Sequence, residues 1–241
     1  MIHKTLARMM APVLAIAVLA SAANAQFKRP TIAQAAAFLL GNKEVQTDLG
    51  LNKQQISTIT AAFNKYADEA SVVTTKFRKD KKNYDKYNKE LHGYQQVFID
   101  RSLGVLTALQ KSRLRQIGVQ HYGPFTLKIP DVAKELKLTA AQSSMIKNEI
   151  AAFEKLREQV EASQRAAVKA IPQPKQTDKK AVDAYKAKVQ ALMKSRSSKD
   201  RDKILAAKTK AENKILASLS KSQKAAYEKL KGRPVPKASK L

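Results

Sequence analysis

Apolar residues recur three and four apart along most of this chain. Ile56, Ile59, Phe63, Tyr66, Ala70, Val73 and Phe77 form one such seam without a miss, the spacing of an amphipathic helix that needs a partner helix. Asp80 breaks the seam, and Tyr84, Tyr87, Leu91, Tyr94 and Phe98 resume it in phase. With no Pro or Gly between 56 and 92, the pattern admits either one very long helix across 53–101 or a hairpin turning near Asp80–Asn83. A single helix of that length lacks an obvious partner of matching length, which favours the hairpin. Further on, Ile146, Ile150, Phe153, Leu156, Val160 and Ala167 make a second seam. Pro172 and Pro174 end it, since proline cannot donate to the helical ladder. A basic helix follows from about Asp178, with Val182, Tyr185, Val189 and Leu192 on one side. The polar run Ser195–Asp202 shifts the apolar phase there, which predicts a kink or a second turn.

The two seams are opened by one pattern. Val45-Gln46-Thr47-Asp48-Leu49-Gly50-Leu51-Asn52-Lys53-Gln54-Gln55 returns 87 residues later as Val132-Ala133-Lys134-Glu135-Leu136-Lys137-Leu138-Thr139-Ala140-Ala141-Gln142. Asn52 with Gln55, and Thr139 with Gln142, read as capping boxes, in which the cap side chain accepts from the third helical residue and that residue reaches back. Shorter relatives, Leu106-Thr107-Ala108-Leu109-Gln110 and Leu219-Ser220-Lys221-Ser222-Gln223, open a closing helix in each half. Short lead-in helices are expected over Thr31–Leu40, stopped by Gly41, and from Pro130 onward. Gly118 is expected to weaken the first closing helix. Gly123-Pro124 reads as a linker. The expected fold is therefore all-α: two tandem long-helix hairpin units, extended or cradle-like, joined by a short Gly-Pro linker. The units span 26–122 and 123–234, with 235–241 a disordered basic tail.

Composition sharpens this picture. Lys and Arg outnumber Asp and Glu by 46 to 20, with only 7 Gly, no Trp and no Cys among 241 residues. Helix formers dominate, and no disulfide framework is available. The formal net charge of +26 favours acidic partners: polyanions, an anionic membrane surface or acidic polypeptide. Residues 1–25 read as a secretory signal peptide. Lys4 and Arg8 precede the apolar run Ala11–Ala20, and Ala23-Asn24-Ala25 supplies the cleavage pattern. That run is about half the length a membrane span requires, so an exported, periplasmic or secreted chain is expected.

The candidate binding cluster lies at the predicted turn of the first seam, where Lys76, Arg78, Lys79, Lys81 and Lys82 surround Phe77, Tyr84 and Tyr87. Cations interleaved with aromatics could grip a polyanion or an unfolded chain, while the simpler reading is a solvated face around a core seam. Catalytic and metal constellations are not legible: His92 and His121 stand 29 residues apart without Cys or a nearby acidic cluster. There is also no Gly-rich phosphate loop or nucleophile elbow. A non-enzymatic chain with no cofactor and no small-molecule substrate is expected.

Paired L-T-x-x-Q motifs in an exported, charge-rich helical chain resemble the Spy/CpxP family of bacterial periplasmic proteins. Leu51, Asn52 and Gln55 match the family's first motif, and Leu106, Thr107, Gln110 and Lys111 its second. Leu138, Thr139 and Gln142, then Leu219, Ser220, Gln223 and Lys224, match the pair again, with Asn52 and Ser220 standing where the family has Thr. The resemblance implies an ATP-independent chaperone or envelope-stress protein whose motif residues mark the fold rather than a client surface. It further implies a basic, partly apolar concave cradle, which the doubled motif would let one chain build internally. The rival expectation, from charge alone, is a cationic envelope protein that binds nucleic acid, lipopolysaccharide or acidic polysaccharide.

Overall fold

The computed structural model describes residues 30–174 and 178–236, with all side chains among them except those of Arg78, Lys79, Lys81, Tyr84, Lys179 and Ser197. The expected signal segment 1–25 lies outside the described residues. Those described form nine α-helices and no strand, an all-α fold. They divide into two compact units, one of residues up to Lys137 together with Ala225 onward, the other of Leu138–Lys224.

Unit 1 opens with α1 (Ile32–Ala36), held by a Thr31–Gln34 capping box, which tightens into a 3-10 turn over Ala37–Gly41. Asn42 then caps α2 (Lys43–Asp48). Gly50, at φ 60°, turns the chain into α3 (Lys53–Lys79). That helix ends at Asp80, a 3-10 turn spans Lys81–Asn83, and α4 (Tyr84–Gly104) runs back antiparallel along α3. The seam is thus a hairpin, as its length suggested. Asp80 is the break because its carboxylate accepts from the Lys82 backbone N–H and the Asn83 amide, the local bonding by which Asp favours turns over helix interiors.

The hairpin closes on a ring cluster. Phe38 from the 3-10 turn stands 4.9 Å from Phe98 and 5.8 Å from Tyr66, while Phe63 stands 5.8 Å from Phe98. Ile59, Ala62, Ile99, Leu114 and Ile117 complete this core. Each fully buried large apolar side chain stabilises by about 1.5–3 kcal/mol. The closing helix α5 (Ala108–Tyr122) packs on α1 through Gly118. A Cβ there would lie 2.9 Å from both Ala36 Cβ and Ile32 Cγ2. Gly118 therefore sets the approach of two helices, whereas the sequence suggested a weak point.

The Gly-Pro stretch is also not a linker. Gly123–Lys128 forms a 3-10 turn with Pro124, Thr126 and Leu127 buried, and α6 (Pro130–Glu135) follows with Val132 buried. Gly123, at φ 61°, ends α5, but the apolar residues that follow fold back on the same unit. The units therefore divide at 137/138 rather than at 122/123, and Tyr227, Leu230 and Val235 return to unit 1. Val235 is anchored, its N–H donating to Gln120 Oε1 at 3.2 Å. Of the expected tail, 237–241 lies outside the described residues.

Unit 2 is the antiparallel pair α7 (Ala140–Lys169) and α8 (Lys179–Ala217), followed by the start of α9 (Lys221–Lys231). Ile146, Ile150, Phe153 and Val160 of α7 meet Ala211, Ile215 and Leu219 as its buried residues. Helix α8 runs unbroken through Ser195–Asp202, contrary to the kink expected there. In place of an apolar seam, polar bonds tie that stretch to α7: Gln164 Nε2 donates to Asp200 Oδ2 at 2.8 Å and Arg196 to Ser163 Oγ at 3.2 Å. With neither Pro nor Gly present, a change in side-chain polarity alone does not stop a helix.

Candidate functional site

All four short motifs form capping boxes. In unit 1, Asn52 Oδ1 accepts from Gln55 N at 2.8 Å while Asn52 N donates to Gln55 Oε1 at 3.0 Å. Thr107 and Gln110 repeat the exchange at 3.2 and 2.9 Å. The cap N–H is a donor, so the glutamine oxygen must face it, which leaves the NH2 group free to reach elsewhere. It reaches the other motif. Gln55 Nε2 donates to Gln110 Oε1 at 2.8 Å, Gln110 Nε2 to Gln55 Oε1 at 3.3 Å, and Gln55 Nε2 also to the Val105 carbonyl at 2.8 Å. Gln110 Nε2 further donates to the Leu49 carbonyl at 3.3 Å. Each amide thus meets two donors and two acceptors, and the N-termini of α3 and α5 are clasped side to side.

Unit 2 repeats this clasp. Thr139 with Gln142 and Ser220 with Gln223 form the boxes. The amides exchange bonds of 2.8 and 3.0 Å, and Gln142 Nε2 donates to the Ser218 carbonyl at 2.8 Å. Ser218 precedes Leu219 as Val105 precedes Leu106, so the geometry matches position for position. The leucines lie beneath: Leu106 and Leu219 are buried, and Leu51 and Leu138 are half-buried. One departure is instructive. Lys137 occupies the place of Gly50 and takes the same left-handed backbone, at φ 50°.

Sequence reading found the boxes and missed the clasp. Its signal was the glutamine recurring at the same place in both members of each pair, which a cap alone does not require. A second missed feature lies beside the first clasp. The Asp48 side chain is fully buried between Arg113, whose Nε lies 2.6 Å from Oδ2, and Arg233, whose Nη2 lies 2.9 Å from Oδ1. Arg113 and Gln120 also donate to backbone carbonyls of Lys231, Arg233 and Pro234, which straps the end of the chain across α5.

At the turn of the first hairpin, the sequence-predicted cluster is partly brought together. Phe77 and Tyr87 meet edge to face at 6.3 Å across the two helices, and Lys76 Nζ pairs with Glu90 at 3.1 Å. These four residues close the hairpin. The Glu90 hydrogen bond holds the Lys76 ammonium above its ordinary range, and the Asn83 amide holds the Asp80 carboxyl below the carboxylate range. Desolvation pushes the Tyr87 hydroxyl up. Lys82 is exposed, while the side chains of Arg78, Lys79, Lys81 and Tyr84 lie outside those described. Among the described residues, no group of three or more His, Cys, Asp or Glu could hold a metal ion. No described helix is long and apolar enough to cross a membrane. No family model, curated protein or solved structure matches the chain.

Proposed function

We propose that this chain is an exported, non-enzymatic helical binding protein, akin to the ATP-independent chaperones of the Spy/CpxP family, that engages unfolded or acidic polypeptide segments. One observation carries the reading: long two-helix hairpins display a large surplus of cations, and several of the acids among them are already held in ion pairs. Glu90, Glu149 and Glu161 sit in ion pairs, and the chain from Gln26, without Lys4 and Arg8, keeps a surplus of 24 positive charges. Isolated exposed apolar side chains, Val72 and Val97 on the first hairpin and Met193 and Leu205 on the second, add weak non-polar contacts of the kind an unfolded chain can use. The clasps supply rigid hairpin ends and no chemistry of their own, and the signal-like first 25 residues support export.

The test is light scattering of an aggregating, near-neutral client mixed with the chain from Gln26, without nucleotide, at low and moderate salt. Suppression that survives moderate salt supports the reading, because apolar contact is not screened. No suppression at any ratio, together with steeply salt-dependent binding of nucleic acid or lipopolysaccharide, instead supports the rival cationic polyanion binder.

A further inference from the structure

The charge of the second hairpin is concentrated on one helix. Helix α8 carries 12 Lys and Arg against 4 acids, whereas α7 carries 5 against 4. The four acids of α8 are engaged: Asp183 pairs with Lys186 and Glu212 with Lys208, Asp202 lies 3.9 Å from Arg201, and Asp200 accepts from Gln164. Towards α7, Lys214 pairs with Glu149 at 2.8 Å, and Arg196 reaches Ser163. Of the cations left over, four align. At about 100° per residue, Lys188, Lys199, Lys203 and Lys210 fall within about 60° of one another around α8, and all four are exposed. At about 1.5 Å per residue, the row is about 33 Å long.

No described acid of α8 lies in that arc. On α7, Glu149 is taken by Lys214. Glu154, Glu158 and Glu161 stand about 120–180° further round that helix, where Arg157 and Arg165 hold Glu161. Beside the row, Asp202, Leu205, Ala206, Thr209, Asn213 and Lys214 line a shallow groove with Lys210, and the one acid there, Asp202, lies 3.9 Å from Arg201. Ala206 and Ser195 leave room for a backbone to lie close.

We infer that this row is a docking strip for an extended acidic polypeptide segment, an assignment that rests on the binding-protein reading above and names the partner chemistry of its second hairpin. The row is single-file and entirely lysine, so it offers point charges rather than the bidentate forks that favour phosphate. The one aromatic of α8, Tyr185, is half-buried, so the row lacks the successive stacking platforms that single-stranded nucleic acid uses. Its four members also offer no large apolar side chain to insert into a bilayer, and the groove beside them adds Leu205 alone.

The test uses the chain from Gln26 and a fluorescent oligoglutamate of about twenty residues, long enough to span the row when extended, followed by anisotropy. The row variant is Lys188→Gln, Lys199→Gln, Lys203→Gln and Lys210→Gln together. The control removes equal charge through Lys53→Gln, Lys111→Gln, Lys134→Gln and Lys221→Gln, all exposed positions. Circular dichroism checks that both variants keep their helix content, as Gln's helix propensity predicts. At low salt the row variant should bind about tenfold or more weakly, the summed effect of four modest ion pairs, with a shallower salt dependence. The control should stay within about twofold. Equal weakening of both variants would show undirected attraction and overturn the strip, as would unchanged binding by the row variant. Preference of the wild type for oligothymidylate or anionic vesicles over oligoglutamate would also overturn it, by assigning the row to another anion. Row-specific oligoglutamate binding by a protein that fails to suppress a neutral client upholds the strip and sinks the chaperone reading alone.

Discussion

Replacing Gln55 by Glu separates a helix cap from a clasp. Four hydrogen bonds end on the Gln55 amide: from Asn52 N at 3.0 Å, from Gln110 Nε2 at 3.3 Å, to Gln110 Oε1 at 2.8 Å and to the Val105 carbonyl at 2.8 Å. If Gln55 only capped α3, Glu would serve as well or better, because its carboxylate accepts from the cap N–H and favours the positive end of the helix by a few tenths of a kcal/mol. If it clasps, Glu loses both donor bonds and turns carboxylate oxygens toward two acceptors. At about 0.5–1.5 kcal/mol for each lost bond, plus repulsion at a half-buried site, the expected loss is about 2–3 kcal/mol. Gln55→Ala should lose about 2–4 kcal/mol, whereas Gln54→Ala, exposed on the next position, should stay within about 0.5 kcal/mol. Urea unfolding followed by far-ultraviolet circular dichroism measures all three. The introduced carboxyl, facing acceptors, should have a folded-state pKa above its unfolded value. Its penalty is then fully present above that raised pKa, fades as pH falls from there toward the ordinary value near ~4.3, and is gone below it. Wild-type or higher stability of Gln55→Glu at neutral pH would refute the clasp.

Three further outcomes follow from the same geometry. Lys137→Gly should stabilise by about 0.5–1 kcal/mol, because a non-glycine residue is strained at positive φ, and Gly50→Lys should destabilise by a similar amount in the same urea assay. Gly118→Ala should destabilise by about 1–3 kcal/mol despite a helix-propensity gain of about 1 kcal/mol, since the new Cβ meets Ala36 and Ile32; a gain in melting temperature would contradict this packing. Burial pushes the Tyr66 and Tyr122 hydroxyls up to about 12. An ultraviolet titration should therefore show two late-ionising tyrosines. Their contribution to stability is intact below the ordinary tyrosine value and lost as pH rises through about 12.

Much of the fold was legible because its punctuation is local. Asn52, Thr107 and Thr139 sit where helices must start, and each does cap one. The hairpin turn at Asp80 followed from a break in apolar spacing. What escaped was non-local. Gly123-Pro124 looks the same in a linker as in a buried 3-10 turn, and only the packing of Thr126 and Leu127 separates them. Ser195–Asp202 read as a break because its polarity hid bonds to Ser163 and Gln164 on the facing helix. The candidate cluster around Phe77 and Tyr87 could not be divided into hairpin closure and open surface, since both use the same residue types. The pairing of Gln55 with Gln110 joins positions 55 residues apart, a distance over which spacing rules say nothing.

Under the proposed function, this chain holds non-native polypeptide on a preformed helical surface. The most direct measurement is titration of a fluorescent, permanently unfolded polypeptide with the chain from Gln26, read by anisotropy without nucleotide, beside the folded form of the same polypeptide. Saturable binding of the unfolded form is expected, tighter for an acidic sequence than for a neutral one, with no measurable binding of the folded neutral form. Equal binding of folded and unfolded forms, or binding that tracks only net negative charge and vanishes at moderate salt, would contradict it.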